Sequence, residues 1–217
     1  MEKIISVDKI MKKRYTAKHY DPSRRIPREE LAVLLEALRL SPTSVNAQLN
    51  RFFVASTKEA REKVAASMMD FNVPRVVDAS DVVVFAIKTE ADDEHLKRVL
   101  AKEVEDGRFP DPEFARMQDE GRRSFIDLNA KGQGIESWAA RQSYIAMGVL
   151  LTMAPLLGID ATPIEGLHTD KLDEILGLRE KGLKSLAVVS LGYHAAGDSN
   201  ATRPKSRLAL EEVVEVI

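Results

Sequence analysis

The segment Gly177-Leu178-Arg179-Glu180-Lys181-Gly182-Leu183-Lys184-Ser185 comes within one residue of a phosphate-binding P-loop. A P-loop needs its lysine directly after the second glycine, with a strand before it and a helix after it, so that backbone N–H groups converge on the phosphates. Here Leu183 separates Gly182 from Lys184, and the flanking patterns run helix then strand. The segment reads as a helix-to-strand turn. Gly132-Gln133-Gly134 begins a dinucleotide fingerprint, but the third glycine is missing and a helical pattern precedes it. There is no G-x-S-x-G elbow. His19, His95, His168 and His194 are scattered without metal-ligand spacing, so nothing asks for a metal. The chain has no cysteine, which excludes disulfides, thiol catalysis and thiolate metal sites and suits a reducing cytosol. Two basic clusters stand at opposite ends of the chain, Lys12-Lys13-Arg14 and Lys205-Ser206-Arg207. On residue type alone the first is a solvated helix end favoured by the helix dipole, and the second an exposed charged loop.

The elements that must position any site fit one domain spanning residues 1–217. Hydrophobic residues make up 44% of the chain, enough for a core. Thirty-two basic residues against 34 acidic ones give a net charge of −2, with no pull toward nucleic acid or acidic membranes. The N-terminal MEKIISVDKI lacks the apolar region and cleavage site of a signal peptide. Gln142–Ile159 runs 18 residues without a charge. It contains Ser143, Gly148, Thr152, Pro155 and Gly158 and is flanked by charges, so a fully buried helix is expected rather than a membrane span.

Periodicity and punctuation give the order of elements. Ser6 caps a short helix to about Lys13. A helix opening at Pro27 carries Leu31, Leu34, Leu35 and Leu38 on one face and stops before Ser41-Pro42. Strands are expected at Phe52–Ala55, Val82–Ile87 and Leu186–Leu191, with a short extended piece at Ala161–Ile164. The unbroken run VVVFAI marks a strand buried on both faces. Helices are expected at Lys58–Met69, Glu90–Val104, Pro112–Ala130 and Ile135–Leu157, and from a Thr169 cap to Leu176. The closing LEEVVEVI reads as an edge strand. Few strands among many helices, without strict alternation, predict a helix-rich α+β domain around a small mixed sheet.

Six pieces occur in order along nearly the whole chain. They are Lys13-Arg14-Tyr15-Thr16-Ala17-Lys18 with Tyr20-Asp21, Ser41-Pro42-Thr43-Ser44-Val45-Asn46-Ala47-Gln48, Phe71-Asn72-Val73-Pro74-Arg75, Asp106-Gly107-Arg108-Phe109, Pro163-Ile164-Glu165-Gly166, and Asn200 through Arg207. Together they resemble the oxygen-insensitive NAD(P)H nitroreductase and FMN-dependent flavin reductase family. The resemblance implies a nitroreductase-like α+β fold, with helices around a small, mixed, mainly antiparallel sheet, in an intertwined cytoplasmic homodimer with FMN at the interface. It implies an oxidoreductase in which NADH or NADPH passes hydride to FMN N5 and a small acceptor, a nitroaromatic or quinone, then takes two electrons in a ping-pong cycle. A flavin or dihydropteridine reductase, or a non-catalytic flavin-binding redox sensor, stays open beside it. Neither nucleic acid nor membrane is implied as a partner.

The resemblance also assigns residues. Arg14, Tyr15, Thr16, Lys205 and Arg207 fall at the phosphate and ribityl end, where arginine suits a phosphate dianion. Lys18, Asn72 and Arg75 fall near the pyrimidine edge of the flavin, where the family often has lysine in place of Arg75. Pro163, Ile164, Glu165 and Gly166 form the segment whose backbone at Glu165 meets N5, with glycine allowing close approach. Pro42, Thr43, Ser44 and Asn46 form the loop supplied by the second subunit. Val45, Arg108 and Phe125, with Lys18, Asn72 and Arg75, fall near the nicotinamide and acceptor pocket. No side chain is assigned as nucleophile or dedicated acid, because the flavin carries the chemistry. After Gln48 the family usually reads Pro-Trp, whereas this chain has Leu49-Asn50, which places local packing and pocket shape in question.

Overall fold

The computed structural model describes residues 7–217, so Ser6, expected as the first cap, lies outside the described residues. Four strands form one sheet in the order β1-β2-β4-β3: β1 Asn50–Ala55, β2 Asp81–Lys88, β3 Asp160–Ile164 and β4 Leu183–Gly192. All three pairings are antiparallel, so the mainly antiparallel expectation holds and no parallel pair occurs among the described residues.

The central strand β2 is buried along nearly its whole length, as its apolar run requires. Alternation then divides it between two cores. Val82 and Val84 pack with Ala17, Tyr20, Val76 and Leu172. Val83 and Phe85 face Leu34 and Leu38 of α2 (Arg28–Arg39), and Ala146, Met147 and Leu150 of α7 (Ile135–Met153). Pro163 lies in β3 at the sheet edge, where a missing N–H is tolerated. The remaining helices are α1 Val7–Lys13, α3 Lys58–Ala65, α4 Val73–Val77, α5 Asp93–Glu105, α6 Pro112–Gln133, α8 Thr169–Leu176 and α9 Leu210–Val213.

Four expectations need correction. First, α3 ends at Ala65 rather than Met69. The Ser67 hydroxyl bonds the Val64 carbonyl at 2.7 Å, and Met68 pairs with Leu167 in an isolated bridge, so local and long-range bonds take the chain out of the helix and into the unanticipated α4. Second, α5 opens at Asp93, not Glu90, because Asp92 caps it by accepting from the His95 N–H at 2.8 Å. Third, α7 is not buried all round: Tyr144 and Ile145 are exposed, because only one face packs on the sheet. It gives way to a 3₁₀ turn at Ala154–Leu157, which holds Pro155 and ends at the left-handed Gly158. Fourth, the tail pairs with no strand of its own chain. Leu210–Val213 forms the short α9, and Leu208, Leu210, Val213, Val214, Val216 and Ile217 are all exposed.

Candidate functional site

The two basic clusters, separated by nearly the whole sequence, meet in one cleft of about 590 Å³ lined by Arg14, Tyr15, Thr16, Asn200, Lys205 and Arg207, with Lys12 and Lys13 at its side. Side chains from the far end of the chain hold it together. Lys205 Nζ donates to the Arg14 carbonyl at 2.5 Å, and Asn200 Nδ2 donates to the Thr16 carbonyl at 2.8 Å. The main fastening is Asp198, which is almost fully buried. Its Oδ2 accepts from the N–H groups of Lys18 and His19 at 2.5 and 2.6 Å, and its Oδ1 from those of Asn200 and Ala201 at 2.8 and 3.1 Å. Burial alone would raise the Asp198 pKa, but these four donors outweigh it and hold the carboxyl below its ordinary value.

Positive charge crowds this cleft. Burial and the Arg207 charge lower the pKa of Arg14. Burial, Arg14 and Arg207 lower that of Lys205. The fold thus spends electrostatic energy to bring cations together, an arrangement that an anion relieves. Burial also raises the pKa of the Tyr15 hydroxyl, which stays neutral, and the ring meets His194 edge-on at 5.7 Å.

Beyond Thr16 the chain leads to a second group. Lys18 has its pKa lowered by burial and then by the charge of Arg75, so the two cations share a neighbourhood. Arg75 Nη1 donates to Asn72 Oδ1, and Asn72 Nδ2 donates to the Gly166 carbonyl at 2.9 Å. A Cβ on Gly166 would lie 2.4 Å from Asn72 Nδ2. A side chain at this position would have to displace the Asn72 amide from its bond to the Gly166 carbonyl. Glu165 is exposed and its Oε1 accepts from Tyr144 Oη at 2.7 Å. Burial and this carboxylate push the Tyr144 pKa up to about 12. Pro163 is half-buried and Ile164 points into the core, so Ile164 offers only its backbone to a ligand.

Pro42, Thr43, Val45, Asn46 and Arg108 line a different cleft, of about 500 Å³, which shares no lining residue with the basic one. Ser44 is tied to α7 by its N–H, which donates to Gln142 Oε1 at 2.9 Å. Phe125 lines neither cleft; its exposed ring meets Trp138 edge-on at 6.4 Å. It is thus neither core nor gathered with Arg108 in the single chain, because the outer face of α6 carries it away. Leu49, at the departure from Pro-Trp, is fully buried and packs with Ala47, Ile87, Leu96 and Trp138, so this end of the core is filled.

The sequence model of the nitroreductase family matches residues 11–193, most of the chain. The chain belongs to the nitroreductase family. It is 44% identical over 202 residues to the oxygen-insensitive NAD(P)H nitroreductase of Salmonella typhimurium, covering 91% of this chain and 93% of that one. It is 36% identical over 216 residues to the major NAD(P)H-flavin oxidoreductase of Aliivibrio fischeri, covering 95% and 96%. A nitroreductase-fold structure from Exiguobacterium sibiricum, solved in complex with FMN, superposes with a TM-score of 0.84 at 24% identity over 98% of this chain and 97% of that one, a likeness of fold.

Sequence reasoning missed several residues that shape these clefts and their surroundings. Asp198 lies in Gly197-Asp198-Ser199-Asn200, which reads as an ordinary turn, and Tyr144 sat in a helix taken as buried. Glu103 and Arg122, which the sequence analysis did not single out, are both buried and face the second cleft. No local signal marks them, since the partners of each lie elsewhere in the chain.

Proposed function

We propose that this chain is an FMN-dependent NAD(P)H oxidoreductase, working as a homodimer, that reduces small acceptors such as nitroaromatics and quinones in a ping-pong cycle. The observation that carries the proposal is the basic cleft, in which Arg14, Lys205 and Arg207 are held together at mutual electrostatic cost by bonds from Asp198 and Asn200. Such a cleft suits a phosphate dianion. When bound, FMN supplies the redox chemistry, accepting hydride from the nicotinamide at N5 and releasing two electrons to the acceptor.

This chain's own residues bind and orient. In this proposal Arg14, Tyr15, Thr16, Lys205 and Arg207 grip the phosphate and ribityl end. Lys18, Asn72 and Arg75 meet the pyrimidine edge, where positive charge favours the anionic reduced flavin. Pro163 to Gly166 pass beside the ring through their backbone, with Glu165 near N5. Pro42, Thr43, Ser44 and Asn46 come from the second subunit, with Val45, Arg108 and Phe125 toward the nicotinamide and acceptor.

Two features support the homodimer. The loop at residues 42–46 lines a cleft separate from the basic one, so a single chain does not gather the expected set. Apolar side chains of α7 and of the tail stand uncovered in the single chain, including Ile145, Leu210 and Ile217, and a second subunit would cover them. Among the described residues no helix is long and apolar enough to cross a membrane. A cytoplasmic location is part of the same proposal, supported by the absence of cysteine. The flavin reductase reading, in which reduced FMN is itself the product, is favoured by the name of the Aliivibrio relative.

Anaerobic mixing of the flavin-loaded protein with NADH or NADPH, then with a quinone, a nitroaromatic or free FMN, tests the activity. Bleaching by the nicotinamide and recovery with the quinone or nitroaromatic, with parallel double-reciprocal plots, is expected. A bound flavin that no nicotinamide bleaches would refute the enzyme. Recovery with free FMN alone would move the assignment to the flavin reductase. Light scattering reads the dimer directly, and a monomer at micromolar concentration would contradict that part.

A further inference from the structure

The loop from Thr43 to Gln48 is held in a backbone conformation that its sequence disfavours. Val45, Asn46 and Gln48 have φ of 46°, 51° and 51°, and they are the non-glycine residues with positive φ among the described residues. A β-branched valine is penalised there by its own side chain, so surrounding structure must over-determine the turn. The loop's internal bonds are those of a tight turn: Asn46 N–H to the Thr43 carbonyl at 3.0 Å, Ala47 N–H to the Ser44 carbonyl at 3.1 Å, and Gln48 N–H to Thr43 Oγ1 at 3.1 Å.

Three buried polar side chains tether the turn to the body of the protein. Gln142 of α7 accepts from the Ser44 N–H at 2.9 Å, and His95 of α5 donates through Nε2 to the Ala47 carbonyl at 2.8 Å. Both hold backbone. The third, Glu103 of α5, holds a side chain: its Oε1 accepts from Asn46 Nδ2 at 2.6 Å. Glu103 is itself gripped through Oε2 by Arg122 Nη2 of α6, and both side chains are almost wholly buried. Arg122 is otherwise poorly served, since its Nη1 lies 3.8 Å from Asp119 Oδ1, beyond hydrogen-bond range. A buried pair of this quality contributes little to stability beyond what apolar residues would give. What it does provide is a charged acceptor fixed at one point beneath Asn46.

We propose that the buried Glu103–Arg122 pair is a positioning device that holds the Thr43–Gln48 loop in its ligand-facing conformation through Asn46; the proposal rests on the FMN reading above. Arg122 fixes the carboxylate of Glu103, the carboxylate fixes the Asn46 amide, and the amide fixes the left-handed turn that presents Val45 and Asn46 to the cleft. Neither Glu103 nor Arg122 touches the cofactor in this account. Arg108 adds a weaker contact to the same carboxylate at 3.5 Å, from the rim of the same cleft.

Two variants separate this role from general stability. Replacing both partners, Glu103→Met with Arg122→Met, removes the pair while leaving apolar volume in place, a change that folded proteins tolerate. Asn46→Asp breaks the contact from the loop side by setting a carboxylate against Glu103, with the buried pair untouched and a residue that accepts positive φ. Hydrogen exchange of the amides at residues 44–48 is read in the FMN-free protein, with the amides of β2 as the internal control, and FMN affinity is read by fluorescence titration. Both variants should raise loop exchange by about tenfold or more with β2 unchanged, and the double variant, which leaves the proposed cofactor contacts in place, should also weaken FMN binding by about tenfold, as loss of one charge-assisted hydrogen bond requires. Wild-type loop exchange in Asn46→Asp would overturn the proposal even if the double variant failed to fold. A wild-type protein that takes up no FMN would sink the underlying reading before any variant is compared. A loop unmoved in a protein that does bind FMN overturns the anchor alone.

Discussion

Asp198→Asn should loosen the basic cleft at its main fastening. The carboxylate accepts four backbone N–H bonds, two from Lys18 and His19 and two from Asn200 and Ala201, and so ties the two ends of the chain across the basic cleft. Asparagine has the same shape but one acceptor oxygen. It can keep one pair of donors and must turn its NH2 toward the other, leaving two N–H groups unpaired. The donors are only partly buried, so water offsets much of the loss and the clamp weakens by roughly 1–2 kcal/mol, the low end for unpaired donors. FMN binding selects the closed clamp, and affinity falls with the closed fraction. We expect about tenfold weaker FMN binding by fluorescence titration, with exchange of the Lys18 and His19 amides at least about tenfold faster. The wild type supplies a pH control. The folded Asp198 pKa lies below its unfolded value of about 3.9, so the clamp's contribution is complete above roughly pH 5. It is lost as pH falls through the lower folded value. Wild-type affinity should therefore owe nothing to Asp198 titration between pH 5 and 7. An Asp198→Asn protein with wild-type affinity and wild-type amide exchange would refute the clamp.

Arg207→Ala should weaken FMN binding roughly 10- to 150-fold, the loss of one charge-assisted hydrogen bond, with little change in the chemistry of flavin-saturated protein; unchanged affinity would return Arg207 to a solvated loop. Lys18→Met should lower the two-electron potential of the bound flavin by roughly 20–45 mV, the equivalent of about 1–2 kcal/mol of stabilisation of the reduced form, and slow bleaching by nicotinamide. A dye-equilibrated titration with stopped-flow bleaching decides it, and two unchanged values would remove Lys18 from the ring. Gly166→Ala sets a Cβ 2.4 Å from Asn72 Nδ2 and should cost about 1–3 kcal/mol in unfolding free energy by displacing the Asn72 and Arg75 side chains, whereas a wild-type denaturation curve would show that Asn72 yields freely.

The parts of the fold that could be read from the chain are those whose burial is written in consecutive residues. β2 and β4 are apolar runs, and α2 carries its leucines at helical spacing, so composition and period agree with packing. Reading failed where a partner lay outside the local window. The end of α3 is set by Ser67 and by a bridge to Leu167, and the uncovered face of α7 shows only when the whole chain is placed. The same division holds at the site. Family register brought Arg14 and Arg207 together across the whole sequence, and they do share one cleft. Asp198, Glu103 and Arg122 escaped because a buried carboxylate or guanidinium is spelled with the same letters as a solvated one, and only tertiary contacts distinguish them. Phe125 was placed by register alone, and within one chain its ring stands exposed against Trp138, away from Arg108.

The central claim is that the cleft formed by the two ends of this chain holds FMN. Its most direct measurement is the flavin content of the purified protein after saturation with FMN and removal of the excess, read from the visible absorbance against protein concentration. About one FMN per chain is expected, with Asp198→Asn and Arg207→Ala retaining less under the same wash. A colourless protein that FMN cannot reconstitute would contradict it.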